Sequence, residues 1–484
     1  MNTLFLDALS NFGELPVFGE QKIDSLEIVN NIEGKNKTFE RIILLQNGNI
    51  TKIPEKFKNV VVSDTSADNV LNIMVKEAKN SDNVVVFNAA NPFYDKNFID
   101  DMFSRHRNFM ADYTYGVGYP DGLLPVILSL ECLKQLKAIS ENSGIDAAEC
   151  RDYLFALLSK DINSFDVETF ISRVDLRIKR ISIGNSDSGE SAFTSSLTEI
   201  LGLDVSYDDV AEFLFKHSEI LFSVIYGMFI DITGSETTSA TYVPHNSAAV
   251  NFANLNKIEK IAQEITEVNS KMRVVIGNKC EPMLHPDFVP IVNTFLAKDI
   301  KVIVETFGNV LPENLTEIAN FDNVTFVFKI DAQNENTYRI VHPHGDYKTA
   351  VNNYNKVKNL GFTVYFHIVR TVETEHDIEK LLKDKQPDIL IKKYSSYCSV
   401  LPDKKVVDLS PLERFECYHL RRELYLDCDL NVYYCMYSNK KIGSAADESI
   451  AELMNTLKNA YVSHAGGEMQ DFCRQCDDYY TFNF

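Results

Sequence analysis

The chain has 484 residues, with 48 Lys and Arg against 69 Asp and Glu, which gives a formal net charge of -21. This acidic balance, without a long basic run, disfavours nucleic acid and anionic membrane surfaces as partners. The longest apolar stretch, residues 220–230, is shorter than the ~20 residues that cross a bilayer, and the first residues lack a basic signal region. We therefore expect a cytoplasmic protein whose nine cysteines are thiols or metal ligands.

Residues 1–143 alternate between short β-rich runs and helical patterns. The sequence predicts strands at 41–48 and 84–93, and helices near 67–80 and 96–109. Such alternation with short connections is typical of an α/β domain with a parallel sheet of Rossmann-like type.

Residues 144–217 indicate a helical and linker segment. Its stretch 183–196, IGNSDSGESAFTSS, has the Ser- and Gly-rich composition of a surface loop. Asp161, Asp166 and Glu168 follow one another at strand-like spacing. They are either cation ligands or, as the reading that we prefer, a solvated strand edge.

A second and more regular α/β series occupies residues 218–396. Strand-like runs lie at 222–232, 272–277, 300–306, 324–331, 363–370 and 388–394, with amphipathic helices between them. Six such steps predict a partial (β/α)6 barrel of TIM type, with its site at the carboxyl ends of the strands.

Residues 397–484 form a small cysteine-rich module. Cys417, Cys435, Cys473 and Cys476 make two separated pairs of thiols that can converge on one point, and Cys428 lies between the first two. Four thiolates suit zinc or an iron–sulfur cluster, and the spacing alone does not separate the two. Ordinary reduced thiols are the other alternative.

The module from 417 to 455, followed by Cys-Arg-Gln-Cys, resembles the SPASM module, which binds auxiliary iron–sulfur clusters in radical S-adenosylmethionine (SAM) enzymes. The resemblance implies that Cys417, Cys435, Cys473 and Cys476 are ligands and that Cys428 is not. Leu430 stands where the family has a turn glycine. Because no cysteine follows Cys476, the resemblance implies one auxiliary [4Fe-4S] cluster, with zinc as the alternative.

The central segment resembles the radical SAM partial barrel. GNKCEPMLHPDF at 277–288 is similar to the family's Gly-Glu-Pro stretch, which implies a SAM-like site at Gly277, Glu281 and Pro282, with Cys280 in place of a glycine. Further on, Phe307 replaces the family's Asn.

The loop after the first strand of this segment, IDITGSETTSATYVPH, carries a second departure. Glu236, Ala240 and Val243 stand where the family has Cys-x-x-x-Cys-x-x-Cys. These side chains cannot hold a cluster that cleaves SAM. We therefore expect no radical initiation, and leave binding of SAM or another small ligand open.

The first segment resembles the nucleotide-diphospho-sugar transferase fold through VVVFNAANPFYD and GYPDGLLPVIL. The phosphate loop of that fold is absent, and Ala90 stands at its acidic position. Asp7 and Asp95 are accordingly interpreted as surface or capping residues.

Four histidines are predicted to lie around the mouth of the barrel: His245, His285, His342 and His344. A histidine metal site there is an alternative to ordinary helix-start and loop positions.

The order of the three parts resembles the spiro-SPASM family over nearly the whole chain. The resemblance implies an iron–sulfur protein with an electron-transfer or substrate-binding role, and an unidentified protein or peptide partner is compatible with that role. The alternatives are a nucleotidyl- or glycosyl-transferase acting through the first segment, and a zinc-stabilised scaffold without catalysis.

Overall fold

The structure is a computed structural model. It describes residues 2–10, 13–19, 22–35, 38–48, 50–244, 251–269, 271–384, 388–407 and 414–478. The chain divides into two compact units, residues 1–223 and 224–484. The finer division into four segments stays a prediction.

The first unit is built on one mixed sheet. Its strands are β1 (Asn2–Ala8), β2 (Arg41–Gln46), β3 (Lys58–Val61), β4 (Asn83–Asn88), β5 (Tyr113–Val117), β6 (Val126–Ser129) and β7 (Val167–Ile171). They are arranged in the order β3-β2-β1-β4-β6-β5-β7. Strands β1 to β4 are parallel to one another, whereas β6 is antiparallel to both β4 and β5.

Seven helices accompany this sheet in the described ranges. They are α1 (Ser25–Lys35), α2 (Ala67–Ala78), α3 (Lys96–Asn108), α4 (Leu130–Ser140), α5 (Tyr153–Leu158), α6 (Ser188–Leu201) and α7 (Tyr207–Lys216). The core on one side of the sheet is formed by the apolar faces of α2, α4 and α5. These helices bury their residues at three- and four-residue spacing, as amphipathic helices do.

Two features of residues 144–217 refine the sequence-based expectation. The strand-like stretch around Glu168 forms β7, which pairs in parallel with β5 as an edge strand of the first sheet. The prediction of a surface loop at 183–196 is wrong, since Ile183, Asn185 and Asp187 are buried and helix α6 begins at Ser188. The carboxylate of Asp187 accepts a hydrogen bond from the Glu190 amide at 2.9 Å, and this N-cap outweighs the weak helix propensity of the serines that follow.

The second unit contains a longer sheet. Its strands are β8 (Gly227–Ile230), β9 (Arg273–Ile276), β10 (Lys301–Thr306), β11 (Val324–Lys329), β12 (Thr363–Arg370), β13 (Ile389–Lys393), β14 (Glu423–Leu426), β15 (Asn431–Tyr433) and β16 (Lys441–Ser444). The strands β8 to β13 pair in parallel and in sequential order. Each of the six runs predicted for this region contains one of these strands.

Helices connect or follow these strands. They are α8 (Leu255–Val268), α9 (Phe288–Leu296), α10 (Glu335–Val341), α11 (Tyr347–Asn359), α12 (Glu375–Lys383), α13 (Tyr418–Arg422), α14 (Ile450–Ala465) and α15 (Asp471–Arg474). None of the helices within the described ranges is both long and apolar enough to cross a membrane.

The cysteine-rich module continues the second sheet. β14 pairs in parallel with β8, and β15 and β16 follow as antiparallel strands. The mixed α/β class with parallel-rich sheets is confirmed, while the Rossmann-like and partial-barrel details stay predictions.

Candidate functional site

Five cysteines line one pocket of the second unit, which we call the thiol pocket. They are Cys398, Cys417, Cys435, Cys473 and Cys476. Four of them are the residues that the sequence singled out. Cys428 is absent from the lining of this pocket, as the sequence-based assignment expected.

Separate local structures bring these thiols together. Cys417 immediately precedes α13, and Cys435 follows β15. Cys473 lies in α15, and the Cys476 amide donates to the Cys473 carbonyl at 3.2 Å. The guanidinium of Arg414 donates to the carbonyl oxygens of Arg474 at 2.9 Å and Cys476 at 3.0 Å, and also to that of Cys473. The Arg414 side chain therefore holds the backbone of the Cys-x-x-Cys turn.

The turn between β14 and β15 explains one departure from the SPASM pattern. Leu430 has φ of 63°, a left-handed conformation that glycine adopts without steric cost. Its side chain is only 2% exposed. Burial of this leucine offsets the backbone strain, and the turn that leads to Cys435 is kept.

Cys398 is the member of the thiol pocket that the sequence did not identify. It lies in the middle of three consecutive left-handed residues, Tyr397, Cys398 and Ser399, with φ of 51°, 57° and 65°. The left-handed conformation is sterically unfavourable for residues with a Cβ atom. Strained backbone of this kind is found most often at functional sites. Cys398 belongs to no spacing motif, and the rise in cysteine density after residue 397 is the one signal that points to it.

The thiols influence one another electrostatically. Burial raises the pKa of the Cys435 thiol well above its usual value, and the neighbouring Cys417, Cys476 and Cys473 raise it further. Burial and the same kind of thiol neighbours raise the pKa of Cys473 to about 12. Hydrogen bonding with Cys398 lowers the pKa of the Cys476 thiol. A positive centre bound here would relieve this mutual repulsion.

The wall of the thiol pocket also carries charged groups. His419 Nδ1 lies 2.6 Å from Glu423 Oε2, and its Nε2 lies 3.5 Å from Asp478 Oδ2. Burial alone would lower the pKa of His419, but the two carboxylates raise it well above its usual value. The Asp478 amide donates to Cys476 Sγ at 3.3 Å. Within the described ranges, no three His, Cys, Asp or Glu side chains are arranged to hold a single metal ion.

The positions that carry cluster cysteines in radical SAM enzymes are packed differently here. Ala240 is fully buried and Val243 is 3% exposed, and both belong to an apolar cluster with Phe307. Glu236 turns back on its own loop, where its carboxylate accepts from the amides of Thr238 and Ser239, both at 2.7 Å. Ala240 and Val243 therefore belong to the apolar core, and Glu236 stabilises a local turn.

The SAM-like stretch after β9 is folded tightly against its neighbours. Gly277 has φ of 93°, and a Cβ atom there would lie 2.4 Å from the Glu305 carbonyl oxygen. Glu281 is fully buried, and its carboxylate accepts from Thr306 Oγ1 and from the Phe307 amide, both at 2.9 Å. Burial raises the pKa of Glu281 to about 7. Pro282 is buried and opens a short 3-10 turn, so the SAM contacts assigned to this stretch stay a prediction.

Two of the four predicted histidines contact the 233–243 loop. His342 is buried, with Nδ1 3.0 Å from Thr238 Oγ1 and Nε2 3.0 Å from Asp331 Oδ2. His344 Nδ1 lies 2.8 Å from Ser239 Oγ. His285 contacts the Ala253 carbonyl oxygen through Nε2 at 2.9 Å. His245 lies outside the described residues, and the other three make separate hydrogen bonds.

In the first unit, the candidate carboxylates have ordinary partners. Asp95 caps α3 by accepting from the Phe98 amide at 3.0 Å, which confirms its capping role. Asp7 accepts from the Leu9 amide at 3.0 Å, and burial raises its pKa to about 6. Glu168 on the edge strand β7 pairs with Arg105 at 2.5 Å.

The other two carboxylates of that stretch, Asp161 and Asp166, are exposed. They are solvated as we expected, but Asp161 precedes a short 3-10 turn and Asp166 lies just before β7, so the strand-like spacing is wrong for both.

Comparison with known proteins places part of the second unit in a wider group. Residues 242–384 match the model of the Radical SAM superfamily. An uncharacterized protein of Treponema pallidum (strain Nichols) is 25% identical over 365 residues, which span 69% of this chain and 99% of that protein.

Among solved structures, Streptococcus suis SuiB is similar, with 13% identity over 58% of this chain and 79% of SuiB, at a TM-score of 0.43. SuiB bound to its precursor peptide SuiA covers 71% of this chain and 85% of that one, with 12% identity and a TM-score of 0.44. Native anSMEcpe with bound AdoMet shares 12% identity over 52% of this chain and 86% of its own, at a TM-score of 0.38.

Proposed function

We propose that this chain is an iron–sulfur protein, in which Cys417, Cys435, Cys473 and Cys476 ligate one [4Fe-4S] cluster of auxiliary type. The observation that carries the proposal is the convergence of these four thiols, from three separate stretches of chain, on one pocket. The pocket lining is selective within the cysteine-rich module, because Cys428 lies between Cys417 and Cys435 in the sequence and does not line it.

The same four thiols would also suit zinc, and the two centres space their ligands differently. Four thiolates around one zinc ion, each at ~2.3 Å, lie about 3.8 Å from one another. A cubane takes one thiolate on each of its four irons and so spaces the ligands more widely. We prefer the cluster because of the resemblance to the SPASM module, and metal analysis separates it from zinc.

When bound, such a cluster supplies a centre that accepts and donates single electrons. The protein contributes the walls of the site. Tyr434, Tyr437 and Phe472 line the thiol pocket beside the cysteines and restrict access of water to it. Arg414 holds the Cys-x-x-Cys backbone from outside.

In this proposal the second unit does not initiate radical chemistry. A cluster that cleaves SAM needs three thiolates at the 233–243 loop, where this chain has Glu236, Ala240 and Val243. Apolar packing around Ala240 and Val243 leaves neither ligands nor space for it. We therefore assign the unit an electron-transfer or substrate-binding role for a protein or peptide partner.

The test is anaerobic reconstitution followed by iron, sulfide and zinc analysis. We expect about four irons and four sulfides per chain. Cys435→Ala and Cys473→Ala should each lower the iron content, whereas Cys428→Ala, in the same module but outside the pocket lining, should not.

Cys398→Ala belongs in the same experiment because Cys398 also lines the thiol pocket. Retention of iron in Cys398→Ala supports the four assigned ligands. Loss of iron in Cys398→Ala with retention in Cys473→Ala would overturn the ligand assignment, and stoichiometric zinc without sulfide would overturn the cluster.

A further inference from the structure

A second pocket of this unit lies where the parallel strands β9 to β13 end, and we call it the lysine pocket. Its lining includes Asn278, Glu305, Lys329, His367, Lys392 and Lys393. Basic side chains outnumber the one carboxylate among these six. His367 Nδ1 lies 3.3 Å from Asp331 Oδ1, so the charge left for a ligand must come from one of the three lysines.

Lys329 is fully engaged by the protein. Its ammonium is 2.8 Å from Glu305 Oε2 and donates to the carbonyl oxygens of Gly277 at 3.0 Å and Asn278 at 2.6 Å. An ammonium has three N–H groups, so each has a partner. The pair is buried, and the charges of Lys329 and, more weakly, Lys392 offset the effect of burial and hold the pKa of Glu305 at about 2. Together Lys329 and Glu305 carry no net charge, and every N–H group of the Lys329 ammonium has a partner.

Lys393 is also engaged. Its ammonium donates to the Asp477 carbonyl oxygen and lies 3.5 Å from Asp478 Oδ1. Its charge therefore serves to hold the segment after Cys476 against β13.

Lys392 differs from both of these lysines. Among the described residues it makes no hydrogen bond and no ion pair within 4.0 Å, although it lines the same pocket and is half-buried. Its charge acts on Glu305 at longer range, so Lys329, Lys392 and Glu305 together carry one net positive charge.

Asn278 supplies the second, independent observation. Asn278 is only 3% exposed, and its amide nitrogen Nδ2 has no hydrogen-bond partner in the described structure. A buried donor without a partner is destabilising. Because Asn278 lines the lysine pocket, an acceptor atom of a ligand bound there would satisfy it.

We propose that the lysine pocket binds the carboxylate of a small monoanionic ligand, recognised by the ammonium of Lys392 and the amide of Asn278. One uncompensated charge matches a carboxylate better than a phosphate dianion, which would leave a negative charge partly buried. Tyr242, Tyr397 and Tyr437 also line the pocket and offer aromatic faces to the remainder of the ligand.

The lysine pocket and the thiol pocket share a wall, since Tyr437 lines both. A carboxylate ligand would therefore be bound next to the proposed cluster. Its recognition, however, involves none of the four cysteines. The proposal goes beyond the iron–sulfur assignment and does not depend on it.

The test uses 4-fluorobenzoate as the probe and the full chain, with fluorine NMR to obtain the dissociation constant at fixed ionic strength set with sodium chloride. We expect saturable binding, competition by acetate, and no binding of the uncharged 4-fluorobenzamide. Lys392→Met should weaken binding at least tenfold, Asn278→Leu should weaken it several-fold, and Lys392→Arg should retain it. Lys348→Met, which removes an exposed lysine of α11, is the matched control and should bind as the wild type does.

Two further arms separate the possible failures. Cys473→Ala should bind the probe as tightly as the wild type, so a missing cluster leaves this test intact. Three results would overturn the proposal. They are equal affinity of wild type and Lys392→Met for the probe, no binding of the probe to the wild type, and tighter binding of inorganic phosphate than of acetate.

Discussion

The rings of Tyr397 and Tyr437 pack edge to face, with centroids 5.1 Å apart and planes at 68°, between the thiol pocket and the lysine pocket. Both side chains line the lysine pocket, and Tyr437 also lines the thiol pocket. Tyr397 begins the left-handed run that presents Cys398. This aromatic pair is therefore the partition between the proposed redox centre and the proposed ligand site.

Removal of this partition is expected to expose the cluster. Tyr437→Ala opens a path for water and oxygen between the two pockets, so the cluster absorbance of reconstituted protein should decay several-fold faster in air. Tyr437→Phe keeps the ring and should decay as the wild type does. Equal decay rates for all three proteins would show that Tyr437 does not shield the site.

Gly277 is expected to be intolerant of a side chain. In Gly277→Ala the new Cβ would lie 2.4 Å from the Glu305 carbonyl oxygen and 2.6 Å from the Pro282 ring, at φ of 93°. We expect a loss of about 2 to 4 kcal/mol in the free energy of unfolding, from strain and steric overlap together.

Gly361→Ala is the matched control, because Gly361 has φ of 96° but nothing within 4 Å of its Cβ position. It should cost only about 1 kcal/mol, the conformational part. Equal losses in the two variants, measured by urea unfolding, would contradict the close approach at Gly277.

Glu281 is expected to make the stability pH-dependent. Burial raises its pKa in the folded state from 4.5 to about 7, so between these values the folded chain retains a proton that the unfolded chain has lost. Its contribution to stability is therefore largest below the lower value and decreases as the pH rises through this window, by up to about 3 kcal/mol.

Glu281→Gln removes this titration. The stability of the wild type relative to this variant should fall between pH 5 and pH 8, as measured by urea unfolding at each pH. Glu259→Gln, on the exposed face of α8, should retain the wild-type profile. A constant difference between wild type and Glu281→Gln across this range would contradict the assignment.

SAM cleavage is expected to be absent. Ala240 and Val243 are packed in an apolar cluster with Phe307, and no thiol stands at position 236. Anaerobic protein reduced with dithionite should give no 5′-deoxyadenosine from SAM above a protein-free control, as measured by chromatography. Repeated formation of 5′-deoxyadenosine by the wild type, lost in Cys435→Ala, would contradict the conclusion that the second unit does not initiate radical chemistry.

The strands of the second unit were predictable from sequence because β-branched runs and amphipathic helices carry local periodicity. The pairing of β14 with β8 was not, since it joins residues about two hundred positions apart and leaves no local pattern. For β7 the sequence indicated a strand edge around Glu168, but it did not indicate the pairing with β5 that completes the first sheet.

At the site, Cys417, Cys435, Cys473 and Cys476 were found through a spacing pattern. Cys398 was missed because a left-handed turn, and not a motif, brings it to the others. The lysine pocket was missed because Lys392 lies on β13 and Asn278 in the loop after β9, and neither residue type is unusual at such positions.

The central claim is tested most directly by electron paramagnetic resonance of the reconstituted, reduced protein. A single [4Fe-4S] cluster predicts a low-temperature signal of about one spin per chain. The signal should be lost in Cys435→Ala and unchanged in Cys428→Ala. Its persistence in Cys435→Ala, or its absence from wild-type protein that has bound one zinc ion, would contradict the iron–sulfur assignment.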